Sequence, residues 1–309
     1  NIFFEGTTVL STSFQTGNID GNDFFIFNSC WNITIYNCLC KPFNYSLRAM
    51  LWDSRSWITD YYNETGDLTT YYKGMEIGEI WGFRTAGIYA SNAEALNGPA
   101  YNFFKNGEMF RAYAGDLRFV DVDGDGIMTK GNRTLSNHGD MEIIGNQSPR
   151  YQYSINMSLN WNGIGLSMLW QGVGKRDWYP MVESGFFWGM YNRPYGYLPK
   201  VHTTDAVIMD YSTENWRVTN PGAYYTRRVT YAANRNVGPL TYENDYYLQD
   251  ASYWRIKNIT IDYTFPQELT RKIRIEKLKI YVSGDNIFTH SPLFKHTDMF
   301  DPETIGFGD

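Results

Sequence analysis

The stretch that decides the fold is Tyr151-Gln152-Tyr153-Ser154-Ile155-Asn156-Met157-Ser158-Leu159-Asn160-Trp161-Asn162-Gly163-Ile164-Gly165-Leu166-Ser167-Met168-Leu169-Trp170-Gln171. From Tyr151 to Trp161 every odd-numbered residue is apolar or aromatic and every even-numbered one is Gln, Ser or Asn. Such period-two alternation predicts a β-strand with one apolar and one polar face. Asn162-Gly163 then fits a type I′ turn, in which both central residues take positive φ. A two-residue loop pairs Trp161 with Ile164, so Ile164, Leu166, Met168 and Trp170 continue the apolar face on the return strand.

Two properties set this hairpin apart from an ordinary antiparallel sheet. Its first strand is about twice the usual ~5–6 residues. Its polar face carries Ser, Asn and Gln rather than Lys and Glu, which suits a watery or protein-filled lumen. Tyr151 and Tyr153 at one end and Trp161 at the other match the aromatic girdles of membrane barrels.

A second hairpin follows further along. Ile259, Ile261, Tyr263 and Phe265 alternate with Asn258, Thr260, Asp262 and Thr264 until Pro266, which cannot donate into a ladder. Leu278, Ile280 and Val282 alternate on the return strand, and Tyr45 to Ala49 alternates less cleanly. The turns at Asn162-Gly163 and from Pro266 to Ile275 are short, whereas Gly172 to Asp250 is a long excursion. A compact soluble domain rarely tolerates such a connection. An outer-membrane barrel expects it, with short periplasmic turns and long extracellular loops.

Composition agrees. Of 309 residues, 17% are aromatic and 19% are charged, the latter below the ~25% of typical globular chains. Mean hydropathy is −0.44, so the aromatics do not simply fill a large core. A net charge of −6 gives no electrostatic reason to bind nucleic acid. No apolar run approaches the ~18 residues of a membrane-spanning helix, but a spanning strand needs only ~9–11. Asn1-Ile2-Phe3-Phe4-Glu5 has no signal-peptide character, so an exported protein is expected to have further sequence before it. Cys30, Cys38 and Cys40 form no metal pattern and are read as incidental, a chance disulfide being the alternative.

Several further motifs, in order, resemble the SusC/RagA-like TonB-dependent transporters. They are Lys73-Gly74 through Glu79-Ile80-Trp81-Gly82, Gly115-Asp116-Leu117 and Asp121-Val122-Asp123-Gly124-Asp125-Gly126. Next come Ile144-Gly145-Asn146, Pro149-Arg150-Tyr151, Trp170-Gln171-Gly172-Val173-Gly174 and Tyr247-Leu248-Gln249-Asp250-Ala251-Ser252-Tyr253. Arg255-Ile256-Lys257-Asn258, Tyr281-Val282-Ser283-Gly284-Asp285-Asn286-Ile287-Phe288-Thr289 and Asp301-Pro302-Glu303 complete the series. The resemblance covers roughly Phe43 to Asp309 and is poor over residues 1–42.

This resemblance implies an all-β fold, a partial antiparallel transmembrane β-barrel wall with long extracellular loops, cut from a roughly 22-stranded barrel. It implies that residues 1–309 are the C-terminal part of that barrel, without plug, TonB box or last strand. The implied function is import of nutrient oligomers, oligosaccharides before peptides, across the outer membrane of a Gram-negative bacterium. The implied partners are a SusD-like surface lipoprotein, TonB through the N-terminal region, and outer-membrane lipid. The implied chain is not an enzyme. The alternative is a soluble, calcium-stabilised β-sandwich acting as a carbohydrate-binding module. A glycoside hydrolase would need paired acids whose separation sequence does not give.

Two sets of residues are candidates for binding. Asp121, Asp123 and Asp125 with Gly126 at the sixth position match a calcium loop, in which Ile127 would offer its carbonyl. The twelfth position is Asn132 rather than a bidentate Glu, and Asp140 could replace the missing carboxylate. An ion-free turn rich in Asp and Gly is the competing reading. Trp178, Trp188, Tyr191 and Tyr195 lie in an aromatic loop that could stack on sugar rings or could simply pack the loop itself. Gly172-Val173-Gly174-Lys175 fails as a phosphate loop. His138, His202, His290 and His296 show no metal spacing and are expected at the surface or in loops.

Overall fold

The computed structural model describes residues 9–19, 22–36, 43–102, 109–181, 184–191, 198–228 and 242–306. Its strands are β1 (Val9–Ile19), β2 (Asn22–Tyr36), β3 (Phe43–Ile58), β4 (Glu79–Phe83), β5 (Thr85–Ile88), β6 (Ala100–Asn102), β7 (Leu117–Phe119), β8 (Ile127–Thr129) and β9 (Met141–Asn146). They continue with β10 (Arg150–Trp161), β11 (Ile164–Lys175), β12 (Asp177–Trp178), β13 (Met209–Asp210), β14 (Arg217–Val218), β15 (Gln249–Asp250), β16 (Tyr253–Thr264) and β17 (Lys279–His290). The chain divides into two compact units. A wall unit holds Asn1–Trp57, Ser148–Arg176 and Asp250–Phe294, and a loop unit holds Ile58–Gln147, Asp177–Gln249 and Lys295–Asp309.

The wall unit is one seven-stranded sheet in the order β1-β2-β3-β10-β11-β16-β17. Its centre is the hairpin read from the sequence. Trp161 pairs with Ile164 around the two-residue turn, where Asn162 has φ of 48° and Gly163 has φ of 86°. A Cβ at Gly163 would also meet the Thr264 carbonyl oxygen at 2.6 Å, so glycine is required there twice over. The second hairpin forms as expected, Ile261 opposite Val282 and Tyr263 opposite Ile280. The less regular stretch near Tyr45 belongs to the 16-residue β3, which pairs along β10. Residues 9–36, where the resemblance is poor, contribute an antiparallel pair to the same sheet. Cys38 and Cys40 lie outside the described residues.

Register carries the alternation across the whole unit. One cross-strand row is Leu47, Met157, Met168, Ile259 and Gly284, and the next is Tyr45, Leu159, Leu166, Ile261 and Val282. The opposite face has Ser46, Ser158, Ser167, Thr260 and Ser283 in line, with Ser46 and Ser158 hydroxyls 2.8 Å apart. Because side-chain period in a strand is two, these five strands share one apolar and one polar face. None of the apolar-row residues just named is buried, and Ile261 and Val282 are 55% and 78% exposed. β17, the edge strand, is exposed along nearly its whole length. A sandwich would have buried this face under a second sheet; among the described residues the named rows stay unburied.

From Tyr153 to Trp161 the apolar face runs eight residue steps, about 27 Å along the strand. That approaches the ~25 Å apolar band of an outer-membrane barrel, allowing for strand tilt. All of the loop unit's segments leave the sheet where β3, β11 and β17 end and β10 and β16 begin, which is one end of the strands. At the other end, β10 joins β11 through two residues, and β16 joins β17 through residues 265–278. No helix among the described residues is long and apolar enough to cross a membrane. In a barrel the strands do the crossing, because every backbone polar group must be paired within the wall.

Candidate functional site

Both candidate sites fall in the loop unit. Its first core gathers Phe83, Tyr101, Leu117, Phe119 and Met128, all buried. Phe119 packs its ring 5.6 Å from Phe83 and 5.5 Å from Tyr101. The metal-loop sequence runs from β7 into β8, and the left-handed residues Gly124 (φ 76°) and Gly126 (φ 84°) fold it back on itself. Asp121 accepts the Gly124 N–H and the Gly126 N–H, each at 2.7 Å. Asp140 is fully buried and accepts from Val122 at 2.8 Å and Thr129 at 2.7 Å.

Carboxylate oxygens of Asp121, Asp123 and Asp140 all lie within 4.8 Å of one another. Asp125 is not in this group; it accepts the N–H of Ile127 at 2.6 Å. Asn132 is exposed, in the turn after β8, where its N–H donates to the Asn137 carbonyl at 3.0 Å. The Asp140 carboxyl is pushed up from its ordinary range, chiefly by burial. Backbone N–H groups of Thr129 and Val122 oppose that, and the charges of Asp123 and Asp121 add to it. Three carboxylates this close repel unless a proton or a cation sits among them.

The aromatic residues behave otherwise. Trp178, Trp188 and Tyr191 are each 3% exposed or less. Phe187 and Trp188 rings stand 4.8 Å apart, and Trp188 lies 5.0 Å from Tyr247. The Tyr191 hydroxyl donates to the Thr226 carbonyl at 2.6 Å. Of the two readings of these rings, packing of the loop itself fits their burial. They form the second core of the loop unit, because residues Tyr225 and Tyr247, far along the chain, close over them. Tyr195 lies outside the described residues. Trp178 also borders a half-enclosed cavity of about 270 Å³.

His202 lies in the long excursion, as expected, but not at its surface. It is fully buried against Tyr225, its ring 4.2 Å away, with Nε2 3.0 Å from the Phe187 carbonyl oxygen. Burial brings its pKa down to about 4; the carbonyl opposes the shift and the Arg228 charge adds to it. The neutral form is thus the folded one. Stability from this group is complete above about pH 6.5 and is lost as pH falls toward 4, up to about 3 kcal/mol. His202→Gln, which keeps a donor for the Phe187 carbonyl, should remove that acid limb. Amide hydrogen exchange around Phe187 between pH 7 and 5 will show it; an unchanged pH dependence in the variant would refute the assignment.

One element of this unit has no local signature. Asp116, 2% exposed, sits 2.7 Å from Arg227 Nε, and Arg227 Nη2 donates to it at 3.0 Å. Burial raises the Asp116 carboxyl, and the Arg227 charge and hydrogen bond oppose the rise. Asp116 lies in the quoted Gly115-Asp116-Leu117 motif, but nothing in the sequence points to a partner 111 residues away.

No family model matches the chain. A curated relative, TonB-dependent receptor P3 of Formosa agariphila, is 24% identical over 220 residues, covering 70% of this chain and 18% of that protein. Among solved structures, the RagAB peptide transporter superposes with a TM-score of 0.56 and the RagAB peptide importer in its open-open state with 0.52. Both share 14% identity over 92% of this chain and 27% of theirs. The chain thus spans less than a third of the length of these relatives. Fold and sequence point to one class: the chain is similar in sequence to a TonB-dependent receptor and in fold to a section of the RagAB transporter. The SusC/RagA-like resemblance read from the motifs holds.

Proposed function

We propose that the chain is part of an outer-membrane importer of nutrient oligomers, oligosaccharides before peptides, that is driven through TonB. The observation that carries this is the five-strand apolar face, uncovered on one side and backed by a polar face on the other. Water does not tolerate such a face across a whole sheet, and lipid does. The similarity to a TonB-dependent receptor and to the RagAB fold supports the same reading, and it extends it to a SusD-like surface lipoprotein as partner. Deleting the gene should abolish uptake of one labelled oligomer class, oligosaccharide or peptide, while the full-length protein fractionates with outer membrane. Unchanged uptake of both classes, or recovery in the soluble fraction, would sink the proposal.

We also propose that Asp121, Asp123 and Asp140 hold a calcium ion, with the Ile127 carbonyl as a further ligand and a role in fixing the loop. The DxDxDG spacing and the convergence of three carboxylates support it. Calcium should raise the thermal midpoint of the full-length protein as its concentration exceeds Kd. Asp123→Asn should remove most of that response, and Asp125→Asn should remove less. No calcium-dependent shift in the wild type rules the site out.

A further inference from the structure

The cavity that Trp178 borders carries two buried donors that meet no acceptor among the described residues. Met75, Trp81, Arg133, Gln147 and Glu243 are among its other walls. Arg133 has φ of 57°, a left-handed conformation that non-glycine residues hold only when the surroundings impose it. Its Nε is buried with no acceptor among the described residues, and so is the Trp178 Nε1. Buried donors are almost always paired in folded proteins, so two orphans on one cavity stand out.

Glu243 lines the same space. Burial raises its carboxyl; a hydrogen bond from its own backbone N–H and the Arg133 charge oppose the rise, yet no ion pair within 4.0 Å joins Glu243 to Arg133. The other carboxylate, Glu79, is already committed to the Tyr72 hydroxyl and to the Glu76 N–H. Arg133 and Glu243 therefore line one void without a direct ion pair between them, beside indole and thioether surface. At about 270 Å³ the void is smaller than the ~300–1,000 Å³ of drug-sized sites, so its ligand is small.

We propose that this cavity binds a small apolar zwitterion, a free amino acid or a dipeptide. Its carboxylate meets Arg133, its ammonium meets Glu243, and its side chain lies against Trp81 and Met75. A guanidinium takes a carboxylate through paired, charge-assisted hydrogen bonds. A sugar acid would satisfy Arg133 and be repelled by Glu243; a simple amine would do the reverse. The inference concerns binding alone and stands whether or not the import reading does.

Calorimetry on the full-length protein in detergent tests it with leucine, leucyl-leucine, N-acetylleucine and leucinamide. At least one of the two zwitterions should bind, and which one does identifies the source. Loss of either ligand charge should weaken binding about tenfold or more. In Arg133→Gln the advantage of leucine over leucinamide should vanish, and in Glu243→Gln its advantage over N-acetylleucine. The proposal is overturned if neither zwitterion binds, if the blocked analogues bind equally well, or if both variants keep full discrimination. Should a variant fail to fold, the analogue series on the wild type decides alone.

Discussion

Arginine at position 168 is expected to cost the wall about 2–4 kcal/mol, and arginine at position 167 far less. Met168 pairs with Met157 and Ile259 in the middle of the apolar face, midway between the aromatic ends of β10. A charge there must be drawn out of hydrocarbon. Ser167 is its immediate neighbour and points the other way, in the row of Ser158 and Thr260, where a charge meets lumen water. Urea unfolding of full-length Met168→Arg and Ser167→Arg in lipid vesicles measures the difference. Equal penalties would mean that the two faces see the same solvent, and the transmembrane assignment of this sheet would fall.

The second large effect is expected at Asp116. Removing one partner of a buried pair leaves the other charge uncompensated, which costs about 3–5 kcal/mol. Asp116→Ala should therefore strip the loop unit of protection against hydrogen exchange, from the Tyr113 N–H that Asp116 accepts at 2.9 Å outward. Asp116→Leu combined with Arg227→Leu should recover much of the loss, because an apolar pair of similar volume carries no desolvation penalty. A double variant as damaged as the single one would show that packing around Arg227, which also lies over the Tyr113 ring at 5.4 Å, matters more than charge.

What could be read from sequence was whatever is local. The Tyr151 to Gln171 hairpin was legible because alternation and a two-residue turn lie within one short segment and fix the register between them. Asp121 and Asp123 were legible for the same reason, and Asp140 as the substitute for a missing ligand. Asp125 stands apart from the other three, its carboxylate on the Ile127 N–H, a position set by backbone turns rather than by residue spacing. The fate of Trp178, Trp188 and Tyr191 was hidden, since Tyr225 and Tyr247 cover them from later in the chain. Arg133 and Glu243 were equally hidden: they are 110 residues apart and share only a cavity.

The Asp116–Arg227 pair also bears on the order of folding. It joins the passage between β3 and β10 to the passage between β11 and β16. Residues 58–147 can therefore complete their contacts only after 177–249 have been synthesised and delivered to the same side. Closing so wide a circuit costs chain entropy before any contact repays it, and structures rich in distant contacts form slowly. The strand hairpins, by contrast, close over two to fourteen residues. The hairpins of the wall should form first and the loop unit last, so a pulse of protease during assembly would cut residues 58–147 long after the β10–β11 hairpin has become resistant.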